Sequence, residues 1–180
     1  MIIKNALIYT ENHRFEKKDV RIRNERITEI AENGQFTDPD ENVIDGEGLY
    51  AIPGLVDIHF HGAVGHDFCQ VSKEELLKIA EYEAANGVLA ICPATMSYNE
   101  EILGKVMDKA ADYNEESGAD LVGINMEGPF IDLKKAGAQN PEYIMPADKE
   151  MFLRLQERSG GLIKLVDIAP EEKGAMDFIE

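Results

Sequence analysis

Cysteine is nearly absent: the 180 residues hold only Cys69 and Cys92. Two thiols make no disulfide framework, so the fold must rest on a packed core. Positive charge is also scarce, with 18 Lys and Arg against 35 Asp and Glu and a formal net charge of −17. Such a surface repels phosphate backbones and argues against nucleic acid as a partner. An anionic small ligand would need a local positive field, from a metal ion or a few basic side chains. No run approaches the ~20 apolar residues of a membrane span. The opening MIIKNALIYT turns polar too soon for a secretory signal, so a soluble cytoplasmic protein is expected, with no membrane partner. Repeats and low-complexity tracts are missing. Apolar residues make up 44% of the chain and charged ones 29%, a composition that builds a core and opposes global disorder.

Residues 1–53 read as short strands. Ile2 to Tyr9 is apolar-rich, and Val20 and Ile22 alternate with Arg21 and Arg23, the period-2 signal of a half-buried strand. Asn24-Glu25 reads as a turn into Arg26–Ile30. Asn33-Gly34 through Asp38-Pro39-Asp40 is loop chemistry, and a last strand falls near Val43-Ile44. After Gly54 the pattern changes to strands alternating with helices. Leu55 to Ile58 is a short apolar run. Ser72 and Glu75 form a capping box before Leu76, Leu77, Ala80 and Ala84 at helical spacing. Val88 to Ile91 is a buried-type strand. A helix from Asn99 carries Ile102, Leu103, Val106, Met107 and Ala110 on one face. Leu121 to Met126 is a third strand, followed by a long loop from Gly128 to Met145. A helix with Met151, Phe152 and Leu155 precedes a fourth strand, Leu162 to Ile168.

Four strand–helix units in succession imply a parallel sheet, either doubly wound or half of an eight-stranded barrel. The stretch after Pro53 is far shorter than the roughly 250 residues of a complete barrel. The expected fold is therefore α/β: residues 1–53 as part of a small β-sandwich, and 54–180 as the first four βα units of a TIM-type (β/α)8 barrel, its first and fourth strands open edges.

The chemistry concentrates at Asp57-Ile58-His59-Phe60-His61-Gly62, at the end of the first strand of the alternating region. Residues two apart in a strand face one side, so His59 and His61 can aim both imidazoles at one point. Imidazole nitrogen suits zinc and similar divalent ions. Isolated histidines two apart are more often surface residues, but the carboxyl end of a strand is where βα folds build their sites. Gly62 allows a sharp turn just after the pair. Glu127 follows the third strand, where an unpaired carboxylate is costly. Alone it reads as a loop cap or a lysine partner; beside two histidines it reads as the third ligand of a His-His-Glu metal set. Lys164 falls near the beginning of the fourth strand, the wrong end to bridge two ions. His66 and His13 read as solvated loop residues. Cys69 and Cys92 read as small core residues rather than nucleophiles.

The segment Ala51-Ile52-Pro53-Gly54-Leu55-Val56-Asp57-Ile58-His59-Phe60-His61-Gly62 resembles the amidohydrolase superfamily. Within it, Glu127-Gly128-Pro129-Phe130 followed by Lys134-Lys135-Ala136-Gly137-Ala138-Gln139-Asn140-Pro141 is similar to the N-acetylglucosamine-6-phosphate deacetylase family. The resemblance spans nearly all 180 residues and covers only the N-terminal half of such an enzyme. It implies a metal-bearing barrel with one or two divalent ions (Zn, Fe, Mn or similar), Glu127 as a ligand, and His59 and His61 in a second metal position. It implies Ala138 and Gln139 as substrate contacts, although many relatives carry His where this chain has Gln139, and Gln cannot change charge near neutral pH. It further implies an amino-sugar phosphate as substrate and a homodimer, or a need for the missing C-terminal half. The catalytic Asp and two more histidines of the family belong to later strands. Two other readings stay open: an amidohydrolase acting on a cyclic amide or dipeptide, and a catalytically incomplete module that assembles with a partner chain.

Overall fold

In the computed structural model, which describes residues 1–37 and 41–180, contacts divide the chain into two compact units, Met1–Pro53 and Gly54–Glu180. In the first, the period-2 pattern becomes a sheet of five strands. β1 (Ile2–Tyr9) lies between β2 (Phe15–Arg23), antiparallel to it, and β4 (Val43–Asp45), parallel to it; β3 (Arg26–Glu32) pairs with β2, and β5 (Tyr50–Ala51) runs beside the end of β1. Asn24 and Glu25 both have positive φ, the geometry that joins two twisted strands through a two-residue turn. Ile2, Ala6, Ile8 and Val20 are buried. A bulge between Ile3 and Ala6 resets the alternation there, with Asn5 at φ 62°. Asp19, fully buried, fastens that bulge: its Oδ1 accepts from the Asn5 N–H at 3.1 Å and from Asn33 Nδ2 at 3.1 Å, and its Oδ2 from the Gly34 N–H at 2.8 Å. The expected loop at Asp38-Pro39-Asp40 lies outside the described residues.

The second unit alternates strands and helices as its sequence pattern requires. β6 (Leu55–Asp57) leads through a small hairpin, β7 (Gly62–Ala63) with β8 (His66–Asp67), to α1 (Lys73–Ala85). The Ser72–Glu75 capping box is present at the start of that helix. β9 (Val88–Ile91) and α2 (Glu100–Ala111) follow, the latter capped by Asn99. The third strand is not continuous. β10 (Asp120–Leu121) pairs with β9, and β11 (Ile124–Glu127) pairs with β12 (Ile163–Asp167), with Val122 and Gly123 between them outside either ladder. A bridge from Ala94 to Asn125 keeps β11 beside the β9 strand's extension. Glycine suits this point: a Cβ at Gly123 would lie 2.5 Å from Lys164 Cγ and 3.0 Å from Cys92 Sγ, so the space where the strand changes partner is filled by neighbouring side chains. Apart from the antiparallel β7–β8 hairpin, these pairings are parallel, in the order β6, β9, β10/β11, β12.

The long loop after β11 contains two short 3₁₀ turns, Leu133–Lys135 and Pro141–Tyr143, before α3 (Lys149–Arg158); α4 (Ala175–Ile179) ends the unit. Ile79 of α1, Leu103 and Met107 of α2 and Leu155 of α3 pack with Ile124, Met126 and Phe130 in one buried cluster. Val166 joins that cluster from β12. By strand alternation Asn125, Glu127, Leu165 and Asp167 face the other way. Leu55 on β6, Leu89 on β9 and Val122 between β10 and β11 are at least 45% exposed, an unusual state beside a parallel sheet, which α/β proteins cover on both faces. Among the described residues no helix is long and apolar enough to cross a membrane.

Candidate metal centre

His59 and His61 stand just past β6 rather than inside it. The ladder continues there through single bonds, Cys92 N–H to Asp57 O at 2.8 Å and Ala94 N–H to Phe60 O at 2.7 Å, so the backbone stays extended long enough for the two rings to converge. Asp57 Oδ1 accepts from the His59 N–H at 3.0 Å, fixing the start of this extension. After His61 the chain reverses into the β7–β8 hairpin. A Cβ at Gly62 would lie 2.0 Å from the His66 carbonyl oxygen, so only glycine closes that turn.

Glu127 arrives at the carboxyl end of β11. Its Oε2 lies 3.2 Å from His59 Nε2 and 3.1 Å from His61 Nε2. One ligand atom from each of the three residues lies within 4.8 Å of the others. Oε2 is buried and finds no well-directed hydrogen bond among the described residues, and the same holds for His61 Nδ1. Buried polar atoms are usually satisfied, and two imidazole nitrogens with one carboxylate oxygen match what a divalent cation binds. The residues fit such an ion, and the triad is a candidate metal site.

Two buried amides brace the donors. Asn125, 4% exposed, donates from Nδ2 to the Ile58 carbonyl at 3.1 Å, and the same nitrogen lies 3.0 Å from His59 Nδ1. Because the Ile58 carbonyl can only accept, the orientation of the Asn125 amide is set by its backbone partner. Gln139, 6% exposed, donates from Nε2 to Glu127 Oε1 at 2.8 Å and accepts at Oε1 from the Ser97 N–H at 2.7 Å. The Glu-Gly-Pro motif has its own steric logic here. Gly128 sits at φ 71°, and a Cβ on it would come 2.1 Å from Ser97 Oγ.

A cavity of about 500 Å³ opens beside the triad, lined by His61, Glu127, Lys135, Ala138, Gln139 and Asp167 among others. Asp167 is the register partner of Glu127 on β12. Burial, followed by the negative charge of Glu127, pushes its carboxyl above the ordinary range, with His59 pulling the other way. Neither Asn125 nor Asp167 carries a motif signal. Asn125 is two residues before Glu127 and so shares its face, a signal present in the sequence; Asp167 is revealed only by strand register.

The remaining candidates go elsewhere. His66 is not a solvated loop residue: it stands in β8 of the hairpin, half-buried, with Nδ1 3.4 Å from Glu75 Oε1. The Lys164 ammonium is exposed and donates to the Gly161 carbonyl at 2.7 Å, at the strand end away from Glu127. His13 hydrogen-bonds with Tyr9 in the first unit. Both cysteines are buried and free, and burial lifts the Cys69 thiol to about 11.

Parallel strands with a His-His-Glu cluster at their carboxyl ends define a class, α/β proteins with a candidate metal centre where βα folds build their sites, and comparison with known proteins narrows it. No family model matches the chain. A curated N-acetylglucosamine-6-phosphate deacetylase of Bacillus subtilis (strain 168) is 32% identical over 184 residues, covering 99% of this chain and 46% of that protein. The crystal structure of the enzyme of that name from Thermotoga maritima is 26% identical with a TM-score of 0.78, over 99% of this chain and 45% of its own. That from Pasteurella multocida superposes with a TM-score of 0.87 at 22% identity, over 99% of this chain and 48% of its own, and speaks to the fold. The resemblance to N-acetylglucosamine-6-phosphate deacetylases thus holds across nearly the whole chain, which spans about half the length of the curated relatives it matches.

Proposed function

We propose that this chain contributes the metal-binding half of a deacetylase that hydrolyses the acetamide of N-acetylglucosamine 6-phosphate to glucosamine 6-phosphate and acetate. The observation carrying this reading is Glu127 Oε2, left without a hydrogen bond between two imidazoles in a chain similar to deacetylases of that name. In this reading residues 54–180 are the first four βα units of a (β/α)8 barrel and residues 1–53 part of a β-sandwich. The exposed apolar side chains on β6 and β9 and at Val122 support it, because a closing second half would cover them.

Glu127, His59 and His61 would hold a divalent ion beside the cavity, where it would supply Lewis acidity toward water and an amide carbonyl. Ala138 and Gln139 form the wall against which the sugar lies. By the resemblance, the Asp that moves the proton and two further histidines would come from later strands that this chain does not span. Assembly with that second half, or as a homodimer, completes the site.

The test is paired. Metal content after equilibration with zinc, iron or manganese, and amine release from N-acetylglucosamine 6-phosphate, are measured for the chain and for Glu127→Ala. Bound metal that disappears in the variant supports the site, and turnover supports the activity. Metal retained at full content by Glu127→Ala sinks the ligand assignment. Hydrolysis of a cyclic amide or dipeptide, with none of the sugar phosphate, would transfer the chain to another amidohydrolase.

A further inference from the structure

We propose that Gln139 is a positioning residue for Glu127, dividing the work of its two carboxylate oxygens: Oε1 is tied to the protein and Oε2 alone is offered to an ion. The proposal rests on the metal reading above and adds to it how the carboxylate is held. The geometry leaves the Gln139 amide no choice of orientation. The Ser97 backbone N–H can only donate, and it takes Gln139 Oε1 at 2.7 Å. Nε2 is thereby turned toward Glu127, donating to Oε1 at 2.8 Å. Both polar ends of a side chain only 6% exposed are committed to the protein.

Ser97 anchors this arrangement. It is buried, and it is pressed against the backbone of Gly128, where even a methyl group would collide with its hydroxyl. The chain thus holds Glu127 from two sides: through its own strand, and through the loop after β9 by way of the Gln139 amide. The consequence is chemical. A carboxylate free at both oxygens can swing between one-oxygen and two-oxygen ligation, whereas one whose Oε1 accepts an amide hydrogen presents a single oxygen at a fixed place. Both His59 Nε2 and His61 Nε2 already face that oxygen. Glu127 Oε2 is also the oxygen left without a hydrogen bond, as an arrangement built to take an ion requires. A glutamine that only filled space would leave its amide free to face either way and would not select one oxygen of its neighbour.

The experiment uses cobalt(II) and zinc as probes on the 180-residue chain, with Gln139→Met (similar length, no donor) and Gln139→His (one ring acceptor and one ring donor). Gln139→Met should keep its circular dichroism and bind ion roughly 10- to 100-fold more weakly, the usual range for a lost partner of a ligand. Its cobalt spectrum should shift, and Gln139→His should recover part of the affinity. Unchanged affinity and spectrum in Gln139→Met, with ion lost in Glu127→Ala, overturns the proposal and leaves the metal reading standing. Ion retained by Glu127→Ala, or no ion bound by the unaltered chain, overturns the metal reading and this proposal with it. Should Gln139→Met fail to fold, infrared difference spectra of the unaltered chain decide: carboxylate stretches of one-oxygen ligation support the proposal, and those of two-oxygen ligation refute it.

Discussion

Asp19, fully buried in the first unit, and Glu127, half-buried in the second, are carboxylates treated in opposite ways. Asp19 accepts three N–H donors, so both its oxygens are used and it pins a bulge in β1. Glu127 has one oxygen held by Gln139 and the other facing two histidines with no well-directed hydrogen bond among the described residues. Burial of a charge is costly in either place. Where the donors are complete the carboxylate is architecture; where one oxygen is left over, the site is arranged for something that the protein does not itself supply. The incomplete carboxylate, rather than the buried one, marks function.

That contrast can be broken most forcefully at Asp19. Asp19→Ala strands three donors at once and should cost about 3 kcal/mol or more of stability, read by urea denaturation. It should leave the His59–His61–Glu127 cluster able to take metal wherever the chain stays folded. Glu127→Gln should show the reverse: stability within about 1 kcal/mol of the parent, since Gln139 keeps an acceptor, but bound zinc or cobalt reduced at least tenfold by competition with a chelator. If the two substitutions had similar effects on folding, the distinction between structural and functional carboxylates would fail here.

Smaller effects sharpen the same picture. Asn125→Leu removes the donor to the Ile58 carbonyl and the amide beside His59 Nδ1, and should cost about 1–2 kcal/mol by thermal melting. It should weaken metal binding less than Glu127→Gln does, because a brace is lost and not a ligand. The weakest effect concerns Cys69, whose thiol burial raises to about 11 from an ordinary 9.0. The folded state prefers the neutral thiol, so this group contributes stability below pH 9 that is lost as pH climbs toward 11. Iodoacetamide at pH 8 should leave Cys69 unmodified in the folded chain and alkylate it in urea; fast labelling without urea would show it exposed.

Much of the fold is a property of short stretches and was legible directly. Alternation along Val20–Arg23 marks β2, and Ser72 with Glu75 caps α1, because period and capping act within a few residues. The spacing of His59 and His61, and a carboxylate after a buried strand, suffice to suggest a metal set. Their convergence on one oxygen is another matter. It depends on β6, β9 and β11 running side by side, and on an extended segment past β6 that the local pattern reads as strand.

The break between β10 and β11, the bond from Asn125 to a residue 67 positions earlier, the placement of Asp167 beside Glu127 and the closure of Gln139 onto Ser97 were decided by tertiary structure alone. Each is set by register and close approach between segments far apart in the chain. Local sequence specifies which way a side chain points relative to its neighbours along a strand. Which distant group it meets there depends on how the strands are laid against one another, and only packing fixes that.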